Sequence, residues 1–221
     1  METLKMIDLF AGVGGLSLGF EQMGFDVVLA NEYDKSIAQA YIKNRKNPNM
    51  IIEDITKLPI HDTFKQFKGT VDLCVGGPPC QGYSQKGQRK TINDPRNFLF
   101  KYFVEVVKEV SPRYFVMENV PNLLTAENGY FQNELTTMFT ELGYIINAQV
   151  LCAADYGVPQ SRHRAVIIGK KAGSSPVAMP KTSKIKTTIW DAIRRIRLWK
   201  QINLATLPAR VYTCWPKMAT T

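Results

Sequence analysis

Short strand-like and helix-like segments alternate through the first 170 residues, and this alternation constrains the fold more than any other feature. The strand-like runs fall at residues 4–10, 27–30, 50–53, 71–75, 114–117, 145–151 and 165–168. Helix-like segments fall at residues 16–23, 35–44, 99–110 and 131–142. Alternating segments of these lengths predict an α/β domain with a doubly wound, mostly parallel sheet that carries helices on both faces.

The chain changes character after residue 170. Residues 173–176 read GSSP, which is typical of a linker, and residues 187–197 fit one helix. Residues 170–221 hold eleven Lys or Arg and one acidic residue, whereas residues 1–169 hold 17 basic and 18 acidic residues. We therefore predict a folded domain over residues 1–170 and a basic extension over 171–221. Such an extension fits a polyanionic partner or a solvated tail.

Several classes of protein are disfavoured by composition. No apolar run approaches the roughly 18 residues of a membrane-spanning helix, and the N-terminus lacks the features of a signal peptide. The four cysteines, at positions 74, 80, 152 and 214, form no Cys-x-x-Cys pair, and the chain has two histidines. This pattern predicts no metal site and free thiols in a soluble intracellular protein.

A glycine-rich turn follows the first strand, where residues 8–15 read DLFAGVGG. A strand that runs through such a turn into a helix is typical of nucleotide-like cofactor sites. Ser17 stands where the dinucleotide pattern has its third glycine, which favours a cofactor without phosphates. Glu32 at the next strand end suits ribose hydroxyls, and Asp54 suits an adenine amino group. The alternative is a tight strand–helix turn without a ligand.

A second turn, GGPPCQGYS at residues 76–84, follows the fourth strand. Its two prolines fix the backbone at the edge where open α/β sheets bind ligands. Cys80 lies in this polar turn and is the candidate nucleophile. Cys74 and Cys152 lie in apolar strand runs and are predicted to be small core residues.

Three further groups of residues complete the pattern. The loop after Cys80 carries Lys86, Arg89, Lys90 and Arg96, which either follow phosphates over a substrate or form a solvated loop. Glu118 ends the next strand and suits acid or hydrogen-bonding chemistry. Arg162 and Arg164 point to the same side if that stretch is extended, which suits a shared role in a site. The alternative is that both are ordinary surface charges.

The stretches at residues 8–15, 78–81, 118–120 and 160–164 resemble, in this order, the cytosine-C5 DNA methyltransferases over about residues 4–169. The resemblance implies a Rossmann-like fold and transfer of a methyl group from S-adenosylmethionine to C5 of cytosine, with S-adenosylhomocysteine as product. It implies a bacterial restriction-modification type of enzyme that acts on double-stranded DNA. The expected location is cytoplasmic and nucleoid-associated, without a membrane.

The resemblance also assigns roles. Cys80 would add to C6 of a flipped cytosine, Glu118 would bind its N3 and amino edge, and Arg164 would hold the O2 side with support from Arg162. The implied cofactor residues are Phe10, Gly12, Gly14, Gly15, Glu32, Tyr33, Asp54, Ile55, Pro78 and Leu99. The implied DNA-binding residues are Gln81, Ser84, Lys86, Arg89, Lys90 and Arg96.

The family is expected to continue with a target-recognition region and a final helix, and residues 198–221 match neither. We therefore predict a catalytic half that binds S-adenosylmethionine weakly and methylates DNA poorly or not at all when isolated. The alternatives are a truncated non-catalytic remnant and one subunit of a split enzyme that needs a second polypeptide. A generic nucleotide-binding oxidoreductase would give Cys80 and Glu118 no role.

Overall fold

The computed structural model describes residues 3–79, 98–171 and 177–193. Their strands are β1 (Leu4–Leu9), β2 (Phe25–Glu32), β3 (Met50–Ile52), β4 (Leu73–Gly76), β5 (Tyr114–Asn119), β6 (Tyr144–Cys152) and β7 (His163–Lys171). They form one sheet in the order β3-β2-β1-β4-β5-β7-β6. The first five strands are parallel, and β7 runs antiparallel to both β5 and β6. The predicted mostly parallel α/β sheet is confirmed.

Six of the seven α-helices in the described residues lie between strands, and the seventh follows the last strand. They are α1 (Gly15–Glu21), α2 (Lys35–Lys43), α3 (Ile60–Phe64), α4 (Leu99–Val110), α5 (Asn122–Thr125), α6 (Tyr130–Glu141) and α7 (Ile189–Ile193). The four longest lie where the sequence predicts helices. The short α3 and α5 were not predicted, because segments of four or five residues are too short to show a helical repeat.

Two apolar layers cover the two faces of the sheet. Ile7 and Leu9 of β1 face one layer, which includes α4 and α6, and Met6 faces the other, in which Leu16 and Phe20 of α1 pack. This division follows from the strand geometry, since successive side chains point to opposite faces. The predicted helices on both faces are therefore confirmed.

The carboxyl ends of the parallel strands meet at one edge of the sheet, which we call the carboxyl edge. The strand order reverses at β1, which lies between β2 and β4, and ligands of open α/β sheets bind at such a reversal. Because β7 is antiparallel, its first residues lie at this edge too, with Asn119 paired to Ala165. Cys152 pairs with His163 at the same edge.

Residues 177–193 contact β6 and the turn that follows it. The carbonyl of Val177 accepts a 3.0 Å hydrogen bond from Asn147 Nδ2, and Ser183 N donates to Asp155 O over 2.7 Å. Helix α7 lies within the predicted helix at residues 187–197, and the predicted linker at 173–176 lies outside the described residues. Among the described residues, no helix has both the length and the apolar content to cross a membrane.

Candidate active site

The glycine-rich turn leaves β1 with its backbone in the left-handed region. Gly12 has φ 58° and Gly14 has φ 85°, which glycine adopts without steric cost, and Phe10 has φ 53°. Two hydrogen bonds hold the turn, from Ala11 N to Asn31 O at 2.9 Å and from Gly14 N to Ala11 O at 2.8 Å. No heavy atom lies within 4 Å of where a Cβ would stand at Gly12 or Gly15. The turn therefore has open space beside it.

Glu32 lies behind this turn at the end of β2. Its side chain is buried, with the residue 6% exposed. Oε2 accepts a hydrogen bond from Gly12 N, and Oε1 accepts one from Asp34 N, each at 2.9 Å. A carboxylate oxygen accepts about two hydrogen bonds, so each keeps capacity for a ligand. Tyr33, the next residue, is exposed.

The other described cofactor candidates lie around the same edge. Asp54 follows β3 and caps the turn at Ile55–Lys57 by accepting from Thr56 N at 2.9 Å. Ile55 is 2% exposed and belongs to the apolar core. Pro78 is buried, and Leu99 packs against the core at the start of α4.

A carboxylate with two guanidinium groups lies at the end of β5. Glu118 Oε1 is 2.9 Å from Arg164 Nε and 3.6 Å from Arg162 Nη2. The Glu118 side chain is 32% exposed and that of Arg164 27%, so both reach solvent at the carboxyl edge. The two arginines therefore do point to one side, and they converge on the predicted acid.

Asn119 is a site residue to which sequence reasoning gave no role. Its side chain is buried, and Nδ2 donates a 2.7 Å hydrogen bond to the carbonyl of Pro78. Its Oδ1 accepts from Val120 N at 2.8 Å. The contact ties β5 to the proline turn two residues before Cys80. The sequence does offer one signal for this role, namely an amide residue directly after the predicted acid at the end of a strand.

The predicted nucleophile and DNA-binding loop lie outside the described residues, and their roles stay predictions. These residues are Cys80, Gln81, Ser84, Lys86, Arg89, Lys90 and Arg96. Cys74 is buried in the core of the sheet, as predicted. Burial raises the pKa of its thiol, which disfavours the reactive thiolate. Cys152 is half-buried in β6.

A profile of the C-5 cytosine-specific DNA methylase family matches residues 4–207. The chain belongs to this family. The Type II methyltransferase M1.HphI of Haemophilus parahaemolyticus is 43% identical over 195 residues, which make up 86% of this chain and 52% of that protein. The Type II methyltransferase M.AquIA of Picosynechococcus is 36% identical, over 77% of this chain and 73% of that protein.

Solved structures agree with this assignment. A putative DNA modification methyltransferase encoded within a prophage of E. coli superposes with a TM-score of 0.71 at 35% identity, over 86% of this methylase chain and 54% of that one. A mutant of Spodoptera frugiperda DNMT2 gives a TM-score of 0.64 at 25% identity, over 85% of this chain and 55% of its own. The Rossmann-like methyltransferase fold is thus confirmed. The methylase chain spans about half the length of several of these relatives.

Proposed function

We propose that this chain transfers a methyl group from S-adenosylmethionine to C5 of cytosine in DNA, as part of a restriction-modification system. The observation that carries the proposal is the convergence of Arg162 and Arg164 on Glu118 at the carboxyl edge. Next to this cluster, Asn119 donates to the carbonyl of Pro78, which precedes Cys80 by two residues in the chain. The chain spans about half the length of several relatives. The activity of those whole proteins is therefore assigned to this chain as a proposal.

The residues around the glycine-rich turn fit S-adenosylmethionine. The open space beside Gly12 and Gly15 admits a ligand close to the backbone. The Glu32 carboxylate, which is bonded to Gly12 N, has remaining capacity to accept from ribose hydroxyls. In the proposal, Phe10 contacts the adenine ring and Asp54 accepts from its amino group. When bound, S-adenosylmethionine supplies an electrophilic methyl group.

In the proposal, residues of the chain bind the cytosine base and activate it. C5 of cytosine is a poor nucleophile until a thiolate adds to C6, and Cys80 takes that role in the proposal. Glu118 hydrogen-bonds to or protonates the N3 and amino edge, where negative charge develops as the thiolate adds to C6. Arg164 holds the O2 side and Arg162 supports it. Chemistry at a ring carbon requires the base to leave the duplex.

A mechanism-based trap tests the proposal. A pool of random-sequence duplexes, in which one strand carries 5-fluorocytosine at every cytosine, covers short target sequences without knowledge of the one recognised. With S-adenosylmethionine, the wild-type chain should form an adduct that survives denaturing electrophoresis, and peptide mass spectrometry should locate it at Cys80. The Cys80→Ser variant should form none, and Cys152→Ser serves as the matched control that should react like the wild type.

The split-subunit alternative predicts a different result. A chain that binds S-adenosylmethionine in calorimetry but forms no adduct with the fluorinated duplex would refute catalysis by the isolated chain and favour a subunit that needs a second polypeptide. A chain that binds neither would favour the non-catalytic remnant. The relatives provide the comparison enzymes for both measurements.

A further inference from the structure

We infer that Arg45 is a positioning residue of the cofactor site, which holds the glycine-rich turn from the side of the sheet covered by α1. The inference rests on the proposed function. Arg45 follows α2 and was not singled out by any sequence motif. Its Nη2 donates to Gly14 O at 3.1 Å and to Ser17 Oγ at 3.0 Å. Glu21 completes the set, with its carboxylate 3.1 Å from Nε and 2.8 Å from Nη2.

The guanidinium is built into the fold and is unlike a surface charge. The Arg45 side chain is 11% exposed, and its Cζ lies 3.6 Å from the centroid of the Tyr41 ring. A Cβ at Gly14 would overlap the guanidinium. Gly14 therefore serves two needs, because it takes a left-handed φ and leaves room for Arg45 to pack against the turn.

The contacts link Arg45 to the cofactor side of the turn through the backbone. Gly14 O, which accepts from Arg45, also accepts the first hydrogen bond of α1, from Leu18 N at 3.1 Å. On the other side, Gly12 N donates to Glu32. Arg45 thus fixes one end of the turn whose other end binds the carboxylate assigned to the ribose.

Ser17 gains a physical role from this arrangement. The residue is 0% exposed, and its hydroxyl accepts from Arg45. A glycine at this position, as in the dinucleotide pattern, would offer no acceptor. Serine in place of glycine at position 17 is therefore explained by Arg45, because the two side chains together hold the α1 end of the turn.

Direct binding of S-adenosylhomocysteine by the full chain tests the inference. Arg45→Met keeps the length of the side chain and removes its donors, and we expect the Kd to rise about tenfold, which corresponds to about 1.4 kcal/mol. Arg45→Lys should recover only part of the loss, because an ammonium group lacks the planar fork that reaches several acceptors. Arg113→Met is the matched control, since it removes an exposed ion pair with Asp72 and should leave the Kd unchanged.

A second readout needs no ligand. We expect backbone amides of residues 12–18 to exchange hydrogen faster in Arg45→Met than in the wild type, while the amides of β5 exchange equally. If Arg45→Met does not fold, Ser17→Ala removes one contact without changing the charge and should show the same two effects more weakly. A variant that loses thermal stability but keeps both the wild-type Kd and the wild-type exchange at residues 12–18 would overturn the inference.

The outcomes separate this inference from the proposed function. A wild-type chain that binds no S-adenosylhomocysteine would refute the proposed cofactor, yet hydrogen exchange would still decide whether Arg45 holds the turn. A wild-type chain that binds it, together with an Arg45→Met variant that binds equally well, would refute the positioning role and leave the proposed function intact.

Discussion

Glu118 has its two carboxylate oxygens in different surroundings. Oε1 faces the guanidinium groups of Arg164 and Arg162, whereas a Cβ at Gly77 would lie 3.4 Å from Oε2. Glycine at position 77 therefore leaves room beside Oε2, next to the proline turn. A carboxylate anchored through one oxygen in this way has a fixed direction, which hydrogen bonding to a base edge requires.

Replacing Glu118 by Gln should slow methylation by a factor of about 10²–10⁴, the usual contribution of a positioned acid or base. The amide keeps the shape but cannot supply a proton, and it leaves Arg164 without its anionic partner. Methylation of DNA with tritiated S-adenosylmethionine measures the rate. Glu109→Gln is the control, because it removes an equal charge whose partner is His61 and should retain full activity. A Glu118→Gln rate within twofold of wild type would disprove the assigned role.

Asp8 makes stability depend on pH in the direction opposite to that of a carboxylate whose pKa is lowered by folding. The residue is 1% exposed, and burial raises its pKa from 3.8 to about 7, although Ser17 and Arg45 oppose the change. The folded state thus binds a proton that the unfolded chain releases as pH rises from about 4 to 7. Stability is therefore lost over this window, and the loss is complete above the folded pKa.

Asp8→Asn should remove this loss, because the amide resembles the protonated acid. Near pH 4 the variant and the wild type should unfold at similar urea concentrations. By pH 8 the variant should be more stable, by on the order of 4 kcal/mol if its other contacts are kept. Asp34→Asn should show the reverse trend, since hydrogen bonds from Ser36 and Ile37 lower the Asp34 pKa and its stabilisation is lost as pH falls. A pH-independent difference for Asp8→Asn would contradict the argument.

At the level of elements, helix-like segments of the sequence predicted the longer helices, and short apolar runs predicted all seven strands. Leu99, Phe103, Val106 and Val110 predicted α4, whose bounds the structure reproduces. The strand order and the antiparallel direction of β7 could not be read from the sequence, because both depend on pairing between distant segments. The same holds for Arg45, whose partners Gly14, Ser17 and Glu21 lie 24 to 31 residues away.

The pairing of β5 with β7 depends on a glycine. Gly169 stands opposite Phe115 in the register, and a Cβ there would overlap the Phe115 ring. That ring also stacks on Phe139 of α6 with centroids 3.9 Å apart, so it has little room to move. The absence of a side chain at position 169 thus allows the sheet and α6 to share one aromatic core.

Gly169→Ala should therefore lower the free energy of unfolding by about 1–3 kcal/mol, the usual cost of overpacking. Gly19→Ala provides a matched control in α1, because nothing lies within 4 Å of its Cβ position and the same substitution in a helix interior should stabilise by about 0.5–1 kcal/mol. Urea unfolding of the three chains measures both changes. Equal stability of Gly169→Ala and the wild type would show that the Phe115 ring repacks freely.

Across the whole molecule, the net positive charge is concentrated beyond residue 170. The described part of this region lies near the carboxyl edge, because Ser183 N bonds to Asp155 O in the turn that follows β6. Three exposed lysines lie within three residues of Ser183 in the sequence, namely Lys181, Lys184 and Lys186. The proposed function predicts that lysines in this position contact the phosphates of the duplex whose cytosine binds Glu118.

Changing these three lysines to Gln should weaken DNA binding and reduce its dependence on salt. Each lost phosphate contact lowers the slope of log K against log salt by about 0.9 in magnitude. The matched control changes three exposed lysines at the other edge of the sheet, namely Lys5, Lys68 and Lys108. Fluorescence anisotropy at several salt concentrations compares the two triple variants. Because their net charges are identical, an equal reduction in slope would attribute binding to total charge, whereas a larger reduction for residues 181–186 places the duplex along this edge.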